Sequence, residues 1–237
     1  MFCTLVRASS RTYYCFITAL IGVSLVGALH VDAAPFVNLD FEQSLVQPSD
    51  PSFVPAAAAF PGWTAEIGGV AQNFVYHDTG GIGEPVVALF DEPAQAGTML
   101  LLQGQYMAYL ETGTNTQRSS LSQVGDIPAG TKSITLLCDG GAGPPVVTLN
   151  GIPIEMIHLS GSTASHFINL YGGDVSAFAG SSAELRLQSD SFSTSFSGRR
   201  SLDDIRFSDS PLPEPAPYWI ELLTSALLLN ARSRNRQ

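Results

Sequence analysis

Apolar and polar positions alternate in short runs through most of this chain, and Gly, Pro or Asn breaks each run. The segment FVNLDFEQ (36–43) puts Phe36, Asn38, Asp40 and Glu42 on one parity and Val37, Leu39 and Phe41 on the other. A period of two predicts a strand with one buried face. SLVQPSDPSFVPAAAAFPG (44–62) reads as a Pro-rich loop, WTAEIGG as the opening of a second strand, and AQNFVYHD (71–78) as a third. Gly80, Gly81 and Gly83 mark a turn, and PVVALFD (85–91) is apolar without alternation, the pattern of a strand buried on both faces. TMLLLQGQYMAYLET (98–112) predicts two short strands around Gly104, and SSLSQVGDIPAGTKSITLLCD predicts strand, turn and strand. PPVVTLNGIPIEMIHL (144–159) predicts a hairpin, because Asn150 and Gly151 both tolerate positive φ. HFINLYGGDVSAFAGSSAELRLQSD adds a strand, a helical turn started by Asp174 and another strand; SDSFSTSFSGRRS (189–201) reads as an exposed loop, and RRSLDDIRFSD as the last strand. About ten strands at this spacing predict an all-β fold, an antiparallel β-sandwich of jelly-roll type. Helical periodicity is nowhere sustained enough for an α/β sheet, and no long repeat is present.

Composition agrees and narrows the function. Of 237 residues, 45% are hydrophobic and only 14% charged, so a packed core is available and general disorder is excluded. The formal net charge is −10, and Lys132 is the sole lysine. With no basic cluster interleaved with aromatics, nucleic acid is excluded as a partner.

The ends differ from the body. Arg7 and Arg11 precede the apolar TYYCFITALIGVSLVGAL, and HVDAAP follows, with Val31 and Ala33 as small residues at the positions a signal peptidase reads. That layout predicts a secretory signal over 1–33, cut between Ala33 and Ala34; a retained membrane anchor is the alternative. Cys3 and Cys15 depart with it. Cys138 is left alone, so no intramolecular disulfide forms, and it is expected as a small buried hydrophobe. At the far end, LPEPAPYWIELLTSALLLNARSRNRQ runs from Pro213, Glu214 and Pro215 through an apolar stretch to Arg232, Arg234 and Arg236. The prolines keep the tripeptide extended, the apolar stretch partitions into a bilayer, and the arginines stay on its cytoplasmic side. Between the two ends, the body keeps six basic and eighteen acidic residues, a strongly acidic domain that offers carboxylates to divalent cations.

The tail resembles the PEP-CTERM sorting signal of exported bacterial proteins. The resemblance implies recognition by an exosortase-type processing enzyme, transient membrane association through the termini, and a secreted, cell-envelope or extracellular-matrix destination. Glu221 interrupts the apolar run and departs from the family pattern. The sorting tail spans 211–237 with a short hydrophobic helix, as the secretory signal is expected to form a helix at the other end; an amphipathic C-terminal helix packed on the domain is the alternative. The body (34–210), with VNLDFEQ, FPGWT and SLDDIRFS, resembles the jelly-roll domains of such proteins and, more distantly, carbohydrate-binding modules. That resemblance implies first and last strands side by side, clamped by a structural calcium. Glu42 with Asp203 or Asp204 would be ligands, and Asp40 stands on the same face as Glu42. The alternative is ordinary solvated carboxylates, or pairs completed by Arg206 or Arg186.

Trp63, Phe74, Tyr76, Tyr106 and Tyr109 are candidates for a sugar-stacking platform. Trp63, after Pro61-Gly62, reads more readily as a core anchor; Tyr76 and Tyr109 are the better candidates for exposure. Catalytic motifs are largely missing. The Gly-rich 80–83 has no phosphate-loop lysine, Glu155-x-x-His158 lacks the further ligands zinc needs, and there is no Gly-x-Ser-x-Gly elbow. The expectation is a non-enzymatic exported protein associated with exopolysaccharide, with a dedicated carbohydrate-binding module as the alternative and a glycan hydrolase as the least favoured reading.

Overall fold

A computed structural model describes residues 34–80, 83–91, 101–113, 117–139, 143–163, 166–189 and 198–213. The chain divides into two compact units, Met1–Val31 and Asp32–Gln237. The first lies wholly outside the described residues, as do both expected terminal helices and the tail beyond Pro213.

Fourteen strands occur among the described residues: β1 (Phe53–Pro55), β2 (Thr64–Ile67), β3 (Val70–Ala71), β4 (Phe74–His77), β5 (Val86–Phe90), β6 (Met107–Glu111), β7 (Ser119–Asp126), β8 (Ser133–Asp139), β9 (Val146–Leu149), β10 (Ile152–Ile154), β11 (Ile157–Thr163), β12 (His166–Asp174), β13 (Ser182–Gln188) and β14 (Arg200–Ser208). They form an eight-stranded sheet, β1-β4-β5-β6-β14-β8-β12-β11, and a six-stranded sheet, β10-β9-β13-β7-β2-β3. Every strand pair is antiparallel except β4 with β5. The expected all-β sandwich is therefore the observed architecture.

One core lies between the sheets. Val87, Leu89, Ala108, Leu110, Ile134, Leu136 and Leu202 reach it from the larger sheet, and Leu121, Val147, Leu149, Leu185 and Leu187 from the smaller. The intervening residues of β5 and β6 point the other way. There Val86, Ala88, Phe90, Met107 and Tyr109 form a second buried cluster with Leu102. All five residues of β5 are buried, as its unbroken apolar run predicts. The Asn150-Gly151 hairpin is present too, with φ of 50° and 76° at its two turn residues.

The segment 36–43 is a correction: it is a turn and not a strand. Asn38 and Phe41 have φ of 51° and 57°, which a regular strand does not accommodate. The Asn38 side chain stabilises this shape, donating to the Pro61 carbonyl at 3.3 Å and accepting from the Gln43 N–H at 2.9 Å. The segment is held to β7 by a side chain in place of a ladder. The Val37 N–H donates to Gln123 Oε1 at 2.6 Å, and Gln123 Nε2 donates to the Val37 carbonyl at 3.1 Å. Two further corrections concern loops. The Pro-rich 44–62 contains β1 and a four-residue helix, Ala56–Ala59, and 101–106 carries no strand.

Replacing the buried Gln123 by Ala removes both amide bonds and leaves two backbone groups of Val37 without partners. The expected cost is about 1–3 kcal/mol of folding stability, measured by urea unfolding of Gln123→Ala against wild type.

Candidate functional site

The acidic residues gather where β14 is irregular. Leu202 and Asp203 pair with Cys138 and Leu137 of β8, but the next pair is Arg206 with Thr135, so β14 carries a bulge at Asp204 and Ile205. Asp204 takes φ of 49°, in the left-handed region that Asp tolerates better than most residues. A bulge frees backbone groups from the ladder and re-aims side chains. Here the freed Ile205 N–H donates to the Leu39 carbonyl at 3.0 Å, which docks the 36–43 turn against the last strand. The side-by-side first and last strands that the resemblance implies are a correction: what meets β14 is the 36–43 turn. The first strand, β1, lies at the far edge of the sheet.

An open cleft of about 470 Å³ results, with Asn38, Asp40, Gln43, Gln103, Asp204 and Arg206 among its lining residues. Asp203 is buried beside it. Its Oδ1 accepts the Asp204 N–H at 2.7 Å, while its Oδ2 is buried without a hydrogen-bond partner. Burial, with smaller contributions from the charges of Glu42 and Asp204, pushes the Asp203 carboxyl up to about 8, against backbone hydrogen bonds from Asp204 and Gln103. Glu42 reaches the same region from the turn. Its Oε1 accepts from the N–H groups of Gln105 and Tyr106 at 2.8 and 3.0 Å. Gly104 beneath it has φ of 60°, and a Cβ there would collide with the Glu42 carboxylate.

The four expected carboxylates are thus not equivalent. Asp203 feels the charge of Glu42. Asp204 accepts from Arg206 Nε at 2.7 Å, the paired arrangement weighed as the alternative. Asp40 is exposed and makes only a 3.4 Å contact with the Glu42 N–H. The four do not converge on one point: among the described residues, the group of three or more metal-ligating side chains that does converge is a different one, His77, Asp78 and Asp91. Arg186 is engaged elsewhere, by Glu66 and Glu184.

The aromatic candidates separate by burial. Trp63 is a core residue, its Nε1 donating to the Asn38 carbonyl at 2.9 Å and its ring packed on Phe41. Tyr109 is a correction: it is fully buried in the second cluster, against Phe90, with its hydroxyl donating to Glu111 Oε2 at 3.1 Å. Neither offers a ring face to a sugar. Tyr76 is half-buried, and it belongs to a ledge that the sequence reading did not assemble. Phe53 on β1 and Phe74 on β4 are each about half exposed, at 52% and 51%, and their rings stack at 5.6 Å and 13°. Tyr76 meets Phe53 edge-on at 5.3 Å. Antiparallel pairing sets Phe53 opposite Tyr76 and Pro55 opposite Phe74. Phe53 was hidden in what reads as a Pro-rich loop.

The remaining candidates are structural. Cys138 is buried, and burial pushes its thiol well up, away from the reactive thiolate. His158 Nε2 lies 3.0 Å from Asn169 Oδ1 and packs on Tyr171, which occupies it without a metal. Of the residues expected to be processed, Ala34 and Pro213 are described and both are exposed. Ala33, Glu214, Pro215, Arg232, Arg234 and Arg236 lie outside the described residues.

No protein-family model matches the chain, and no curated protein matches its sequence. Among solved structures, the enzymatically active domain of tailspike protein 4 from bacteriophage CBA120 aligns at 12% identity with a TM-score of 0.33. The alignment covers 62% of this chain and 19% of that one.

Asp203 sets a pH dependence. Its folded pKa lies above the unfolded carboxylate value, so the folded state binds the extra proton. The resulting stabilisation is complete below about pH 4 and is lost as pH rises through about 8. In chelator-treated protein, thermal melts from about pH 5 to 9 should show a falling melting temperature, and Asp203→Asn should flatten that slope.

Proposed function

We propose that this chain is an exported, non-enzymatic protein of the cell envelope or extracellular matrix, sorted through its C-terminal Pro-Glu-Pro tail and associated with exopolysaccharide through its β-sandwich. The observation that carries the glycan contact is the ledge of Phe53, Phe74 and Tyr76. Two large apolar rings stacked in the open, at the edge of an otherwise well-packed sheet, present flat faces of the kind that pack on the apolar face of a pyranose. The charged, apolar and small-residue layout of the N-terminus and the Pro-Glu-Pro, apolar and arginine order of the C-terminus support export and sorting. Mass spectrometry of the mature protein tests both ends at once: cleavage after Ala33 and loss of the tail are expected, and intact termini would overturn the sorting reading.

For the ledge, retention on a panel of insoluble polysaccharides is the measurement. Phe74→Ala and Phe53→Ala should release the protein while its melting temperature stays near wild type, because both side chains are half exposed. Tyr109→Phe, in the interior, should leave retention unchanged. Full retention by both ledge variants would remove this reading.

The acidic cleft extends the proposal to a structural calcium ion. Asp203 Oδ2 is an unpartnered buried carboxylate oxygen, and the charge of the Glu42 carboxylate acts on the same group. Hard oxygen donors suit calcium, with backbone carbonyls and water completing the shell. Asp204 and Asp40 are outside the proposed set, held by Arg206 and by solvent respectively. Calcium is expected to raise the melting temperature, and Asp203→Asn to abolish that rise. No response of wild type to calcium or chelator would exclude the ion.

A further inference from the structure

The single parallel pair in the larger sheet brings together three residues that the chain keeps well apart. His77 is the last residue of β4, and Asp91 directly follows β5. Because β4 and β5 run in the same direction, with Tyr76 opposite Ala88 and His77 opposite Leu89, both strands end at the same place. Asp78 follows His77 with φ of 50°, and this turns its carboxylate back toward β5. Its backbone N–H donates to the Leu89 carbonyl at 2.9 Å, and its Oδ1 accepts the Asp91 N–H at 3.2 Å. His77 is anchored from the other side, its N–H donating to the Ser52 carbonyl at 3.0 Å. The backbone therefore fixes all three side chains before any ligand is considered.

Their polar atoms converge and are left unsatisfied. His77 Nε2 lies 3.2 Å from Asp91 Oδ2 and 3.5 Å from Asp78 Oδ2. His77 and the Asp91 side chain are buried, at 2% and 0% exposure. Yet His77 Nε2 and both carboxylate oxygens of Asp91 have no hydrogen-bond partner. A buried carboxylate without a well-aligned donor is costly, and a cation at the point where these atoms meet would neutralise it. Asp78 is 24% exposed, which leaves one side of that point open to solvent.

We propose that His77, Asp78 and Asp91 form a binding site for a divalent first-row transition-metal ion of the zinc class. Three arguments select that class. The donor set of one imidazole and two carboxylates suits zinc and its neighbours, whereas calcium and magnesium take oxygen shells. The two separations from His77 Nε2, 3.2 and 3.5 Å, are close to the edges of a tetrahedron with metal–ligand bonds of about 2.0–2.1 Å, which are about 3.3–3.4 Å long. Three protein ligands with one open side leave a coordination position for water. The site is separate from the Glu42 and Asp203 cleft and independent of the glycan reading, so failure of either leaves this proposal intact.

The test uses the purified full chain, stripped with chelator, loaded with zinc and dialysed. Stoichiometric zinc measured by elemental analysis, together with a raised melting temperature, is expected for wild type. Asp78→Asn, a change at a partly exposed residue that should leave the fold intact, is expected to lose both the retained ion and the thermal shift. Asp91→Asn and His77→Gln should do the same. Cobalt loading gives a second readout, since visible absorption bands of a tetrahedral ion should appear in wild type and vanish in Asp78→Asn. No retained zinc in wild type would overturn the proposal. So would zinc retention unchanged in Asp78→Asn, or a thermal response to calcium with none to zinc. If Asp91→Asn instead stabilises the metal-free protein and wild type takes up no ion, the occupant is a shared proton.

Discussion

The bulge in β14 is the constraint on which the acidic end of this molecule depends. A regular strand between β6 and β8 would keep every backbone group in the ladder and leave nothing for the chain's first segment to hold. By letting Asp204 take a positive φ, the strand releases the Ile205 N–H to the Leu39 carbonyl. The 36–43 turn then fits against β14, Glu42 clamps the Gln105 and Tyr106 amides, and Asp203 is sealed beneath with one oxygen unpaired. Removing the irregularity would remove the cleft and the pairing of carboxylates together. Bulges are commonly placed where a sheet must aim a side chain, and this one aims Asp203.

Among the described residues, Asp203 in the larger sheet and Asp91 at the end of β5 carry buried acceptors without partners, in different surroundings. At Asp203 the neighbours are carboxylates and backbone amides, all hard oxygen or N–H groups. At Asp91 an imidazole nitrogen enters the set. An acidic domain spreads negative charge widely, and at these two residues burial leaves a carboxylate oxygen without a partner. Each therefore has a distinct preference for what neutralises it.

Much of the fold could be read from residue order, because strands, turns and hairpins are local. The Asn150-Gly151 hairpin, the doubly buried β5 and the Asp174-started turn before β13 follow from periods and turn chemistry within a few residues. The failures are non-local. The 36–43 segment alternates like a strand, but its partner is the side chain of Gln123, 86 residues away from Val37. Tyr109 sits on the parity opposite Ala108 and Leu110, and that alternation implies an outward face. Phe90 and Leu102 cover that face, so the ring is interior. At the site, the motif singled out Glu42 and Asp203 as candidates, whereas Phe53 was masked by neighbouring prolines. His77 and Asp91 become neighbours only through a parallel pairing, for which the sequence has no local sign.

The borders of both sheets share a property. β1 is three residues long and ends in Pro55, β10 is equally short with Pro153 at its centre, and β3 has only two residues. β11 is longer, but its register with β12 slips twice. Proline lacks the amide needed to recruit a further strand, and short or slipped edges offer no straight template. Copies of this sandwich can therefore crowd to high density without zipping into fibrils.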